Sequence, residues 1–232
     1  LMNFDFNFNK NSGVYVDSSK KFIFKFYLDQ KKSNKNFKIL NEYKGNYWYL
    51  SRIKNKNTKN LIIIKKQEDF SLIKIPFFFG KKYKFWKNFL DKKKEVFLVL
   101  KHYKTIWPKT STLVPYHGDL TLSNIIFTKN EVRFIDWENY ENNKLWGLDI
   151  SYFLLSLIIL PSISNRKNTI SKHSSENFII FWNSFFKNCN FEYLNDPISY
   201  LRAKTNLPKN NFINLVSKNL EKKINYILNE RN

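Results

Sequence analysis

Two short passages of this 232-residue chain hold side chains able to move a phosphoryl group. They are His117-Gly118-Asp119-Leu120-Thr121-Leu122-Ser123-Asn124 and Phe134-Ile135-Asp136-Trp137-Glu138. Phosphoryl transfer to a hydroxyl needs one carboxylate to orient the acceptor and take its proton. A carboxamide and a second carboxylate must hold Mg²⁺ against the phosphates. Asp119, Asn124 and Asp136 are of those types. Asn124-Ile125-Ile126-Phe127 and Val132-Arg133-Phe134-Ile135 read as apolar strands around a Lys129-Asn130 turn. A hairpin there sets Asn124 and Asp136 side by side, two hard oxygen donors at one point.

Asp119 and Asn124 have the spacing of the kinase catalytic loop, H-x-D-L-x-x-x-N, and Asp136 stands where that loop's second aspartate follows on a hairpin. Together with Gly147-Leu148-Asp149, the passage from 114 to 155 resembles the aminoglycoside phosphotransferase and choline kinase family. The resemblance implies a protein-kinase-like fold, with ATP and Mg²⁺ bound between two lobes. It makes Asp119 the catalytic base and Asn124 and Asp136 the metal ligands. Lys25 takes the place of the phosphate-binding lysine, in competition with Lys20 and Lys21, and Glu42 that of its ion-pair partner. On the local reading His117 orders the catalytic loop by hydrogen bonds or takes a direct role, and Asp149 caps its helix; the resemblance has Asp149 also bond the loop backbone. Glu138 contacts metal-bound water or acceptor, or is structural. Phe70 to Gly80 resembles the strand passing the adenine, with Phe77, Phe78 and Phe79 near the ring. Gly13 alone stands between the first two strands, so no glycine-rich phosphate cradle is recognisable.

The elements that must position these groups are legible from periodicity. Residues 3–8, 13–16 and 21–27 alternate apolar and polar side chains, which predicts three antiparallel strands. A helix is predicted over 33–52, although Gly45 weakens it. Strands at 61–65 and 70–78 and a helix over 84–105 follow. After the central hairpin, helices are predicted over 148–160, 175–188, 191–203 and 210–229. The fold class is α+β: a small N-terminal antiparallel β lobe with one helix (1–80, nucleotide-binding), and a larger, mainly helical lobe (81–232) with the catalytic loop and acceptor site.

Composition bounds the rest. Hydrophobic residues make up 43% of the chain and aromatics 18%, a globular composition rather than a disordered one. Cys189 is the only cysteine, so no internal disulfide framework exists. No segment reads as a signal peptide or a spanning helix, and the expected setting is cytoplasmic, with peripheral membrane contact open. The formal charge is +21. Residues 1–110 carry a net +18, chiefly as lysine, and residues 111–232 a net +3. The basic excess is scattered, not organised with aromatics on one face, so no nucleic-acid partner is expected.

The acceptor is a small molecule with a hydroxyl group: an aminoalcohol such as choline, or a sugar, including those of cell-surface glycolipids. A polycationic aminoglycoside fits less well, because few acids cluster beyond Glu138 and Glu141. Among Trp137, Trp146 and Trp182, at least two are expected in the core, and one could wall an acceptor. The competing readings are a catalytically inactive kinase-fold binding protein and a basic nucleic-acid-binding protein.

Overall fold

A computed structural model describes residues 2–7, 12–17, 19, 22–28, 35–53, 62–67, 70–83, 88–164, 169–205 and 207–229. The first strands, β1 (Met2–Asn7), β2 (Ser12–Asp17) and β3 (Phe22–Leu28), form an antiparallel meander. After α1 (Lys35–Arg52) come β4 (Ile62–Gln67) and β5 (Phe70–Pro76), completing a sheet of order β1-β2-β3-β5-β4. Residues paired across antiparallel strands share a face, and β3 places Lys25 opposite Ile73 and Ile23 opposite Ile75. That face packs on α1, where Ile73 and Ile75 cluster with Leu50.

Gly45 sits inside α1, and the helix runs through it. A Cβ there would lie 2.6 Å from Trp137 Cβ, so the missing side chain lets α1 close on the catalytic segment. Tyr49 and Leu50, both fully buried, point from the same turn into two different apolar clusters.

The chain then crosses to the second half. Lys81 pairs with Phe127 through backbone bonds of 2.8 and 2.9 Å. The helix predicted over 84–105 is shorter than expected. Asn88 adopts φ 58°, a one-turn 3₁₀ segment spans Phe89–Asp91, and α2 begins only at Lys93 and ends at Ile106. A left-handed residue interrupts any continuous helix. Residues 84–87 lie outside the described part.

The central hairpin pairs β7 (Ile125–Phe127) with β8 (Val132–Phe134), and β6 (Leu113–Tyr116) pairs with β9 (Glu141–Leu145). β9 has no counterpart in the sequence reading, because Glu-Asn-Asn-Lys-Leu carries no alternation. α3 (Leu148–Ser164) is buried on all sides from Leu148 to Ile159 and forms the centre of the helical half. α4 (Lys172–Phe186) is capped by Ser171, whose hydroxyl accepts from Ser174 N. The helix predicted over 191–203 is confined to α5 (Pro197–Lys204), which Asp196 caps and Pro197 opens. The last one, predicted from 210, is α6 (Lys218–Asn229). Residues 210–217 form turns instead: Asn211 accepts from Ile213 N on its side chain and from Asn214 N on its carbonyl.

Candidate active site

Lys25 joins the sheet to the catalytic segment. Its Nζ lies 2.9 Å from Glu42 Oε1 and 2.7 Å from Asp136 Oδ1. Burial works against the ammonium, but Glu42, Asp136 and Glu138 outweigh it and hold Lys25 charged well above its ordinary range. Glu42 is wholly buried in α1. Asn46, one turn on, donates to its carboxylate at 3.0 Å and to its carbonyl at 2.8 Å. Burial pushes the Glu42 carboxyl up, against the pull of Lys25. At Asp136 the balance reverses: desolvation is outweighed by Lys25, and the carboxyl is held below its usual value. Lys20 and Lys21, the other lysines considered for this position, lie outside the described residues.

Asp136 follows directly on β8. The ladder extends by one bond, Ile135 N to Asn124 O at 3.0 Å, and then the chain turns with Asp136 at φ 69°. A non-glycine residue in the left-handed region is strained, and such residues gather at functional sites. Asn124 thus stands one ladder step from Asp136.

Asp119 is held from two sides. Asn124 Nδ2 donates to its Oδ2 at 3.1 Å, and the Tyr152 hydroxyl donates to its Oδ1 at 3.1 Å. Asn124 Nδ2 also donates to the Asp119 carbonyl at 2.8 Å. Two acceptors on one nitrogen fix the amide, and Asn124 Oδ1 stays outside this network. Burial raises Asp119 to about 6, with both hydrogen bonds opposing.

Three residues hold the loop that carries Asp119. Asp149 is buried and accepts from His117 N at 2.9 Å and Gly118 N at 3.2 Å. Burial pushes its carboxyl up to about 7 despite those bonds. Gly118 has φ 85°, and a Cβ there would meet Asn139 O at 2.2 Å, so only glycine fits. His117 is fully buried, which lowers its imidazole to about 4 and leaves it neutral. Its Nε2 faces the Ile135 carbonyl at 2.9 Å and must donate; its Nδ1 then accepts from Asp119 N at 3.3 Å. One tautomer satisfies both contacts.

Glu138 bonds across to the first half. Its carboxylate accepts from the Tyr27 hydroxyl and from Lys38 Nζ at 3.3 Å, and its carbonyl from Asn41. Asp119 and Glu138 both line a cavity of about 250 Å³, with Lys38, Tyr116, Glu141 and Asn211 among the other walls.

Several site residues escaped the sequence reading. Tyr152 lies three residues after Asp149, on the same helical face, and that spacing was the available signal. Asn211 donates to the Tyr152 hydroxyl at 2.7 Å from a turn that only the tertiary fold brings near. Lys82 senses both Asp136 and Lys25; burial lowers its ammonium, Asp136 opposes and Lys25 adds. Trp137, Trp146 and Trp182 are all core residues, none walling the cavity. Phe77 and Phe79 stack edge to face at 4.7 Å, whereas Phe78 turns to the Leu50 cluster.

No protein-family model and no curated protein matches this chain. Solved structures do. Amicoumacin kinase hAmiN, in complex with AMP-PNP, Ca²⁺ and Ami, matches with a TM-score of 0.51 at 14% identity, over 99% of this chain and 88% of that one. WbdD, co-crystallised with the kinase inhibitor LY294002, matches with a TM-score of 0.43 at 11% identity, over 95% of this chain. The chain spans less than half the length of that WbdD, 44%. At such identities the likeness to hAmiN speaks for architecture alone, and the architecture agrees with the antiparallel sheet, single helix and helical second half described above: the chain has a protein-kinase-like fold.

Proposed function

We propose that this chain is an ATP-dependent phosphotransferase acting on the hydroxyl of a small molecule. The observation that carries the reading is Lys25. Its ammonium bridges Glu42, 17 residues away, and Asp136, 111 residues away, within hydrogen-bond distance of both. A buried carboxylate that positions a cation beside a half-exposed aspartate is the arrangement a phosphate and metal site needs. The division near residue 80, with nucleotide between the sheet and the helical half, belongs to the same proposal.

The donor set fits Mg²⁺. Asn124 Oδ1 and the second oxygen of Asp136 are hard oxygens outside the hydrogen bonds found among the described residues. No group of three or more His, Cys, Asp or Glu among the described residues could hold a metal ion, which is compatible with an amide-plus-carboxylate site completed by phosphate and water. When bound, the ion neutralises phosphate charge. Lys25 steadies the phosphate chain, and Glu42 and Asn46 keep its ammonium in place. That hAmiN is described with AMP-PNP and Ca²⁺ supports a nucleotide and a divalent ion here.

Asp119 faces the cavity with its carboxylate oriented by Tyr152 and Asn124. It takes the acceptor's proton as the acceptor oxygen bonds to the γ-phosphorus. The bond from that phosphorus to the β-γ bridging oxygen breaks, and ADP leaves with the electron pair. A screen of ATP consumption against aminoalcohols, sugars and aminoglycosides, run with wild type and Asp119→Ala, tests this. Turnover with one acceptor class, absent in the variant, is expected; equal turnover in the variant would refute the base assignment.

A further inference from the structure

A buried hydroxyl without a partner is costly, and one belongs to a tyrosine that lines the Asp119 cavity. Tyr116, at the end of β6, is 2% exposed and lines the cavity. Its hydroxyl is buried with no hydrogen-bond partner among the described residues. Burial, reinforced by Asp149, Tyr152, Glu141 and Asp119, keeps the phenol protonated well beyond its ordinary range, so it remains a donor.

The charges around this cavity are mostly matched. Glu138 is bonded to Tyr27 and Lys38, and Glu141 to Lys144 at 3.0 Å. Asp119 remains, reserved for the reacting hydroxyl. The other described walls include neutral hydrogen-bonding side chains, Asn41, Asn139, Thr205 and Asn211. With Trp137, Trp146 and Trp182 in the core, Tyr116 is the one aromatic ring among the described lining residues, which builds no cage for a quaternary amine. A polycation would meet Lys38, with Asp119 the one lining carboxylate outside an ion pair among the described residues.

We infer that this cavity takes an uncharged polyhydroxylated acceptor, a sugar or polyol, and that the Tyr116 hydroxyl bonds a second hydroxyl of the molecule whose first hydroxyl faces Asp119. This rests on the phosphotransferase reading and narrows its acceptor. Tyr116 is then a specificity-determining residue, not part of the transfer step.

The test measures ADP release and phosphorylated product with D-glucose, D-ribose, myo-inositol, glycerol, choline and kanamycin, for wild type, Asp119→Ala and Tyr116→Phe. The neutral polyols should be phosphorylated and the two cations refused. Tyr116→Phe should raise the KM of the accepted polyol about 3- to 10-fold, the span of one neutral hydrogen bond, with kcat and the KM for ATP nearly unchanged. Its thermal midpoint should hold or rise, since no internal bond is lost. Phosphorylation of choline or kanamycin instead of the polyols overturns the acceptor class and leaves phosphotransfer standing. An unchanged polyol KM, or a lowered melting midpoint in Tyr116→Phe, overturns the role of its hydroxyl. Absence of Asp119-dependent turnover with every probe overturns both readings.

Discussion

Each oxygen of the Asp119 carboxylate accepts a hydrogen bond, one from Asn124 and one from Tyr152, and their losses should differ. Asp119→Asn keeps the size of the side chain but cannot accept a proton from the acceptor, so kcat should fall by about 10²- to 10⁴-fold, the usual range for a general base. Mg²⁺-ATP affinity should stay near that of wild type, as titration calorimetry would show. Tyr152→Phe removes one bond to a charged acceptor, worth about 1.5–3 kcal/mol. Steady-state kinetics should show kcat reduced by about 10- to 100-fold with little change in the KM for ATP. Asp119, Asn124 and Asp136 were conspicuous in the sequence because they fall in one local passage. Lys25 and Glu42 were reachable only through the family resemblance, because sheet and helix bring them to Asp136 from far up the chain. Asn211 was not legible: nothing local marks a turn asparagine as the partner of a tyrosine 59 residues away.

Among the elements, α1 shows how context inverts a propensity. Replacing glycine by alanine in a helix interior ordinarily stabilises by about 0.5–1 kcal/mol. Here the added methyl would meet the Trp137 side chain at 2.6–3.0 Å. Gly45→Ala should therefore destabilise, by about 1–3 kcal/mol as for other overpacked sites, and urea unfolding would measure it. The same glycine had weakened the helix prediction, because periodicity carries no information about what approaches the helix. Alternating strands and the apolar α3 were legible because their patterns report burial directly. β9 was not, since a polar surface strand held by backbone bonds to β6 leaves no hydrophobic trace. The first residues assigned to the last helix were misread for a related reason: Asn211 and its neighbours bond their own backbone and tyrosine rather than continue a helical ladder.

For the whole molecule, two buried imidazoles tie stability to pH. Burial lowers His102 and His117 to about 4, against about 6.5 in an unfolded chain. At these two groups the unfolded state binds protons that the folded state refuses, and the stability they contribute is full above pH 6.5 and declines as pH falls toward 4. The Tyr49 hydroxyl accepts from Phe134 N and lies 2.8 Å from His102 Nε2. The raised carboxyls of Asp119, Asp149 and Glu42 work in the opposite sense over the same window, so the histidine share is read as a difference: between pH 7 and pH 5 the thermal midpoint of His102→Gln, which does not titrate, should fall less, or rise more, than that of wild type. Among the described residues no helix is long and apolar enough to cross a membrane.

The central claim is that Lys25, Asn124 and Asp136 form one Mg²⁺-nucleotide site while Asp119 serves the acceptor. Titration calorimetry with ATP, with and without Mg²⁺, on wild type, Asp136→Ala and Asp119→Ala addresses it most directly. The account predicts Mg²⁺-dependent binding by wild type and Asp119→Ala, and loss of that binding in Asp136→Ala. Undiminished Mg²⁺-ATP affinity in Asp136→Ala, or no nucleotide binding by wild type, would contradict it.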